Sequence, residues 1–163
     1  MLQTADDGSL ELTLGTAEVL QAATRMLAGV ALRSVDVLEA AVTLPQFRLL
    51  AVLADMGPVP SGQAARTLGL DRSTVTRLAD KMVAAGHVTR GADPGHRGVV
   101  TLELTASGRD LVETANNWRH RELARILARL TPAEQAAVTA SLGLLVRTAG
   151  EDYGVAAHRP VPL

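Results

Sequence analysis

The sequence predicts a mostly α fold of the α+β kind, six helices with a small two- to three-stranded β-hairpin unit between the fourth and the fifth. Three observations predict it. Apolar residues recur at spacings of three and four over most of the 163 residues, residues 87–104 switch to alternation around a Gly- and Pro-rich turn, and helix start and stop residues stand where the periodicity breaks. At this length one core buries about 70% of the surface an unfolded chain exposes. A composition of 47% apolar and 20% charged residues suits a single globular domain over 1–163.

Residues 11–41 lack proline, and Thr16, Leu20, Ala23, Leu27, Val30, Ser34, Val37 and Ala41 form one stripe, so the first helix is long. Thr43 is placed to cap the second, with Pro45 in its first turn; Phe47, Leu50, Ala51 and Leu53 share a face, and Gly57-Pro58 ends it. Ser61 is placed to cap a short third helix with Ala64, Ala65 and Leu68 inward and Gly69 as the left-handed residue past its end. Asp71 is placed to cap the fourth, whose inward stripe is Val75, Leu78, Ala79 and Met82 and which stops at Gly86. Residues 87–90 and 99–104 read as strands, since Val100, Leu102 and Leu104 alternate with Thr101 and Glu103; residues 91–98 are the loop between them. Thr105 caps the fifth helix, which carries Leu111, Ala115, Trp118, Leu123, Ile126, Leu127 and Leu130, and the jump from Trp118 to Leu123 predicts a bend or a change of partner. Thr131, Pro132 and Glu134 combine a capping box with proline at the first helical position, starting a sixth helix that runs to about Gly150; from Tyr153, with Pro160 and Pro162, the tail reads as loose.

The chain has no cysteine, which excludes thiolate catalysis, sulfur redox chemistry, iron–sulfur clusters and thiolate zinc sites. His87, His96, His120 and His158 lack metal-ligand spacing: His120 and Glu122 are two apart and fall on different sides of a helix. No metal and no cofactor is implied. Nothing resembles a nucleophile elbow, a phosphate loop or a paired-carboxylate site, so no enzyme is predicted. Phe47, Trp118 and Tyr153 are too few rings to stack a single strand of bases. The amino-terminal residues have no cationic segment before an apolar stretch, and the longest uncharged, mostly apolar run, 135–146, is short of the ~20 residues a membrane span requires. No membrane association is expected, and the expected location is the cytoplasm.

The net charge of −1 conceals a strong segregation. Residues 1–60 carry three basic against seven acidic side chains, residues 61–100 six against three, and the remainder seven against seven. A basic middle on an otherwise acidic or neutral chain is what a polyanion-binding segment shows, although a solvated face gives the same count. Residues 61–86 fit two short helices joined by a Gly-centred turn, a helix-turn-helix whose second helix enters the major groove. With its inward side taken by Val75, Leu78 and Met82, the outward face of the fourth helix carries Arg72, Ser73, Thr74, Thr76, Arg77, Asp80 and Lys81: hydroxyls for phosphate and arginines for guanine O6 and N7. Ser61, Lys81, Arg90 and Arg97 are candidates for the backbone, and the basic hairpin after the second helix makes the unit a winged helix-turn-helix for double-stranded DNA. A winged-helix module that binds protein instead is the alternative reading.

These residues carry a family resemblance. LPQFRLL at 44–50, AARTLGLDRSTVTRL at 64–78, GHVTR at 86–90 with Asp93-Pro94, and Leu104-Thr105 before Gly108-Arg109, in this order and spacing, resemble the MarR family of transcription regulators. The resemblance implies a homodimer held by helices in 11–42 and 105–150, with 43–104 as the DNA-binding lobe. It implies a repressor that binds a pseudo-palindromic operator and is released by a small aromatic or anionic effector. Aligned without gaps, the family's acidic-basic-basic wing motif falls on His96, Arg97 and Gly98, a departure, and a one-residue shift instead puts Arg97 on its second basic position; under either alignment Asp93 is expected to orient Arg97. His87 stands where such proteins usually carry an aliphatic residue; a hydrogen-bonded, partly buried histidine and a pH- or ligand-responsive one are both open. The effector pocket the family places between its lobes would lie near Met26 and Val30, with Phe47 and Trp118 as lining rings, core packing being the other reading of both.

Overall fold

The computed structural model describes residues 14–39, 41–92 and 99–153. Along them run α1 (Leu14–Asp36), α2 (Leu44–Met56), β1 (Val59–Pro60), α3 (Ser61–Leu68), α4 (Arg72–Ala84), β2 (Val88–Ala92), β3 (Val100–Leu104), α5 (Ala106–Leu127) and α6 (Pro132–Tyr153). This is the expected mostly α arrangement with a three-stranded antiparallel sheet, ordered β1-β3-β2. The loop at 93–98, with Asp93, His96 and Arg97, and the tail at 154–163 lie outside the described residues.

The core gathers around α2. Its Leu49, Leu50, Val52 and Leu53 are buried against Ala64, Ala65 and Leu68 of α3, Val75, Ala79 and Met82 of α4, Leu102 and Leu104 of β3, and Val112 and Ala115 of α5. Gln46 sets the start of α2: its Oε1 accepts from the Thr43 backbone N–H at 2.7 Å and the Thr43 hydroxyl at 3.0 Å. The Thr131–Glu134 box at α6 also forms, with the Glu134 carboxylate accepting from the Thr131 backbone N–H and hydroxyl, both at 2.8 Å. Those two bonds favour the charged carboxylate and hold its pKa below the ordinary value.

Four expectations are corrected. The first helix ends at Asp36, not near residue 41: short-range bonds from Leu38 N–H to the Val35 carbonyl and from Glu39 N–H to that of Asp36 tighten its end, and Glu39 takes φ 50°. The turn this creates drops Leu38 and Val42 into the core. Ser61 is the first helical residue of α3 instead of its cap. Val59 and Pro60 are drawn into an edge strand opposite Leu102 and Thr101, so Pro60 occupies the cap position. Asp71 does stand at the N-cap of α4, but its backbone carbonyl, not its side chain, receives the N–H groups of Thr74 and Val75 at 3.0 and 3.1 Å. The sixth helix continues past Gly150 to Tyr153. Through the Trp118–Leu123 jump α5 continues as one helix, and what changes is burial, from the covered Val112 and Ala115 to the half-covered Trp118 and Leu123.

The sheet and α5 meet at Thr105. Its hydroxyl donates to the Gly86 carbonyl at 2.7 Å and accepts from the Gly108 N–H at 3.1 Å, while its own N–H donates to the His87 carbonyl at 3.1 Å. Gly108 is packed so closely here that a Cβ would stand 2.1 Å from the His87 carbonyl oxygen. The His87 ring is held as well, its Nδ1 lying 2.9 Å from the Ser107 hydroxyl. Gly108→Ala is therefore expected to force α5 away from the α4–β2 turn and to cost about 1–3 kcal/mol of stability, read as a lowered urea midpoint.

Candidate nucleic-acid interface

The turn between α3 and α4 follows from one glycine. Gly69 closes α3 at φ 65°, ψ 32°, and the Leu70 N–H returns to the Ala65 carbonyl at 3.0 Å, an end that a residue with a Cβ adopts only with strain. Val75, Ala79 and Met82 face inward and are buried, with Leu78 half-buried beside them. The opposite side of α4 therefore points to solvent: Arg72, Ser73, Thr76, Arg77, Asp80 and Lys81 are exposed and Thr74 is half-buried, as is Ser61 at the start of α3.

Several of these side chains are already positioned. Arg77 Nη2 donates to the Thr74 hydroxyl at 3.4 Å, and the Thr76 hydroxyl donates to the Arg72 carbonyl at 2.9 Å. The Arg72 guanidinium lies against the first turn of α3, where a Cβ on Gly62 would come within 3.3 Å of its Nε. Arg90 on β2 forms a hydrogen-bonded ion pair with Asp80 of α4, tying the wing to the helix. The sequence-based reading placed Arg90 on the nucleic-acid backbone and left Asp80 without a role. An acidic residue in a face otherwise made of hydroxyls and cations was the available signal that it has a partner within the protein.

Comparison with known proteins decides the family. Residues 42–97 match the model of the MarR family. The chain is 29% identical over 105 residues to YfiV of Bacillus subtilis, an HTH-type transcriptional regulator, a match covering 64% of this chain and 66% of that one. It is 32% identical over 93 residues to the HTH-type transcriptional repressor Rv2887 of Mycobacterium tuberculosis, covering 57% and 67%. Its fold superposes on the structure of a MarR family protein from Bacillus stearothermophilus with a TM-score of 0.73 at 27% identity, covering 83% of this chain and 95% of that one. The chain belongs to the MarR family. These relatives are named as regulators, not enzymes, and no helix among the described residues is long and apolar enough to cross a membrane.

This MarR-family chain also holds a cavity of about 580 Å³ where α1, α2, α3 and α5 meet, a volume in the range of small-molecule sites. Its walls are largely apolar, with Val30 of α1 and Phe47 of α2 among them. Met26, which is 44% exposed, and Trp118 do not line it. Leu27, Val30 and Ala31 line it from α1, and Val112, Asn116, Arg119 and Leu123 from α5; Trp118 falls off the three- and four-residue steps of α5, whereas Met26, one four-residue step before Val30, is turned to solvent.

The sequence-based reading missed polar residues of the cavity wall, among them Arg48 and Asp55 of α2 and Asn116 and Arg119 of α5. Arg119 Nη2 donates to the Ser34 hydroxyl at 2.9 Å, joining α5 to a fully buried serine on α1, and burial lowers the pKa of its guanidinium. An arginine inside an apolar stripe, as Arg48 is between Phe47 and Leu50, was the sign that could have found it.

The Asp80–Arg90 pair is partly exposed, so its coupling in a double-mutant cycle of Asp80→Ala and Arg90→Ala is expected at about 0.2–1 kcal/mol and to shrink in high salt. A coupling of zero in low salt, measured by urea unfolding, contradicts a bond between wing and helix.

Proposed function

We propose that this chain is a DNA-binding repressor that works as a homodimer on a pseudo-palindromic operator and is released by a small aromatic or anionic effector. One observation carries the DNA reading: α4 keeps Arg72, Ser73, Thr76, Arg77 and Lys81 on the solvent side while its buried side is committed to the core. Arg72, Ser73, Thr74, Thr76 and Arg77 face the bases, and Ser61, Lys81, Arg90 and Arg97 serve the phosphates, with Asp93 orienting Arg97. The winged lobe spans 43–104, and the helices of 11–42 and 105–150 form the dimer. The effector occupies the cavity beside Val30 and Phe47.

The dimer has its own support. Among the described residues α6 has no extensive packing against any other element, yet Leu144, Leu145 and Val146 are 60, 50 and 46% exposed, and Val19 and Leu20 of α1 are also uncovered. Apolar helices left open in this way mark a surface that a second copy covers.

Selecting genomic fragments bound by the full chain tests the reading directly. On a selected duplex, Arg77→Ala is expected to cost about 1–3 kcal/mol and to relax sequence preference. Arg97→Ala is expected to weaken all duplexes alike and to reduce the salt slope by about one unit. Wild-type behaviour of both variants would place the reading face elsewhere. By light scattering at micromolar concentration the mass should be twice the 17.1 kDa of one chain, and a mass of 17.1 kDa contradicts the dimer.

A further inference from the structure

The cavity and the helix that precedes α4 share one side chain. Arg48 rises from α2 into the cavity wall, and its Nη2 donates to the Leu68 carbonyl at 3.3 Å, at the last residue of α3. The returning N–H groups of Gly69 and Leu70 go to Arg66 and Ala65, so neither serves Leu68. Arg48 is thus what caps that carbonyl, and it does so from an unfavourable position: its Nε is buried with no hydrogen-bond partner. Arg119, across the cavity on α5, also has a buried Nε without a partner.

We propose that Arg48 is the positioning residue through which an acidic effector acts on the helix-turn-helix. A carboxylate in the cavity offers Arg48 a two-bond fork through Nε and Nη2, the second being the group that now caps α3. Because Nε is covered in the resting position, making that fork turns the guanidinium toward the cavity and away from Leu68. The uncapped end of α3 then loosens the Gly69 turn that sets α3 against α4. The ligand binds the turned-out state better than the resting one, which is the condition for shifting the equilibrium. Arg119 provides a second cation on the opposite wall, and the apolar walls hold the ligand's body. A neutral molecule of the same shape fills the cavity without moving α3.

The proposal rests on the reading of this cavity as the effector site, and the experiment separates the two. Benzoate and its neutral analogue benzamide are titrated into the full chain by calorimetry at millimolar concentrations. Amide exchange of residues 66–70 is followed in the same samples, for wild type and for Arg48→Gln. The expected result is saturable benzoate binding, exchange at 66–70 rising about tenfold in wild type but not in Arg48→Gln, and no such rise with benzamide. Saturable binding with unchanged exchange in wild type, or with an equal rise in Arg48→Gln, overturns the role of Arg48 and leaves the cavity reading intact. Absence of saturable benzoate binding overturns the acidic-effector reading, and this proposal with it. Even if Arg48→Gln fails to fold, unchanged wild-type exchange at 66–70 under saturating benzoate overturns the proposal.

Discussion

Leu49 and Leu50 of α2 have no exposed surface, and Val52 and Leu53 are almost as deeply covered. A helix with one apolar stripe lies on a surface; one covered on adjacent sides has to be surrounded. α3, α4, α5 and β3 all pack on α2, and each leucine so buried contributes roughly 1.5–3 kcal/mol against a net stability of about 5–15 kcal/mol. The inward stripe of α4 is specified by this contact, and its outward side follows by exclusion. The same packing presses β3 between β1 and β2 and so carries the wing.

What projects from that core is polar and mutually arranged. Arg77 leans on Thr74, Arg72 lies across α3 beside Gly62, and Arg90 is held by Asp80. Single exposed contacts of this kind add little stability. Their effect is to reduce the rotamer freedom that long cationic side chains would otherwise lose on meeting a ligand. The segregation of charge along the chain acts at longer range, concentrating positive potential on the segment that carries α3, α4 and the wing.

The other half of the molecule is organised by different physics. α1 and α5 are joined through Arg119 and Ser34, and the space they leave against α2 and α3 is lined largely by apolar groups, with the guanidiniums of Arg48 and Arg119, the carboxylate of Asp55 and the amide of Asn116 among them. Buried donors without acceptors are rare in folded chains, and the Nε atoms of Arg48 and Arg119 are two of them, on side chains that line one cavity. Through Thr67 and Leu68, α3 forms part of the wall, so the cavity borders the helix-turn-helix directly.

Much of the fold was legible from local signals. The cap position at Thr43, the box at Thr131, the left-handed end at Gly69, the Thr105 cap and the two sides of α4 all rest on interactions within about one helical turn, where spacing in sequence is spacing in space. The misjudged or missed features have the opposite character. The edge strand at Val59–Pro60, the approach of Gly108 to His87 and the Asp80–Arg90 bond each depend on contacts between separate elements. The cavity's lining was half legible: Val30 and Phe47 lie on faces the periodicity marks, while Met26 and Trp118 were excluded, and Arg48 and Arg119 included, by how the helices rotate against one another. The sequence by itself therefore determined which segments are helices and which side of each is apolar, because caps and periodicity are written locally. Only the tertiary structure decided which polar side chains meet, because that depends on crossing angles and register set by the packed core as a whole.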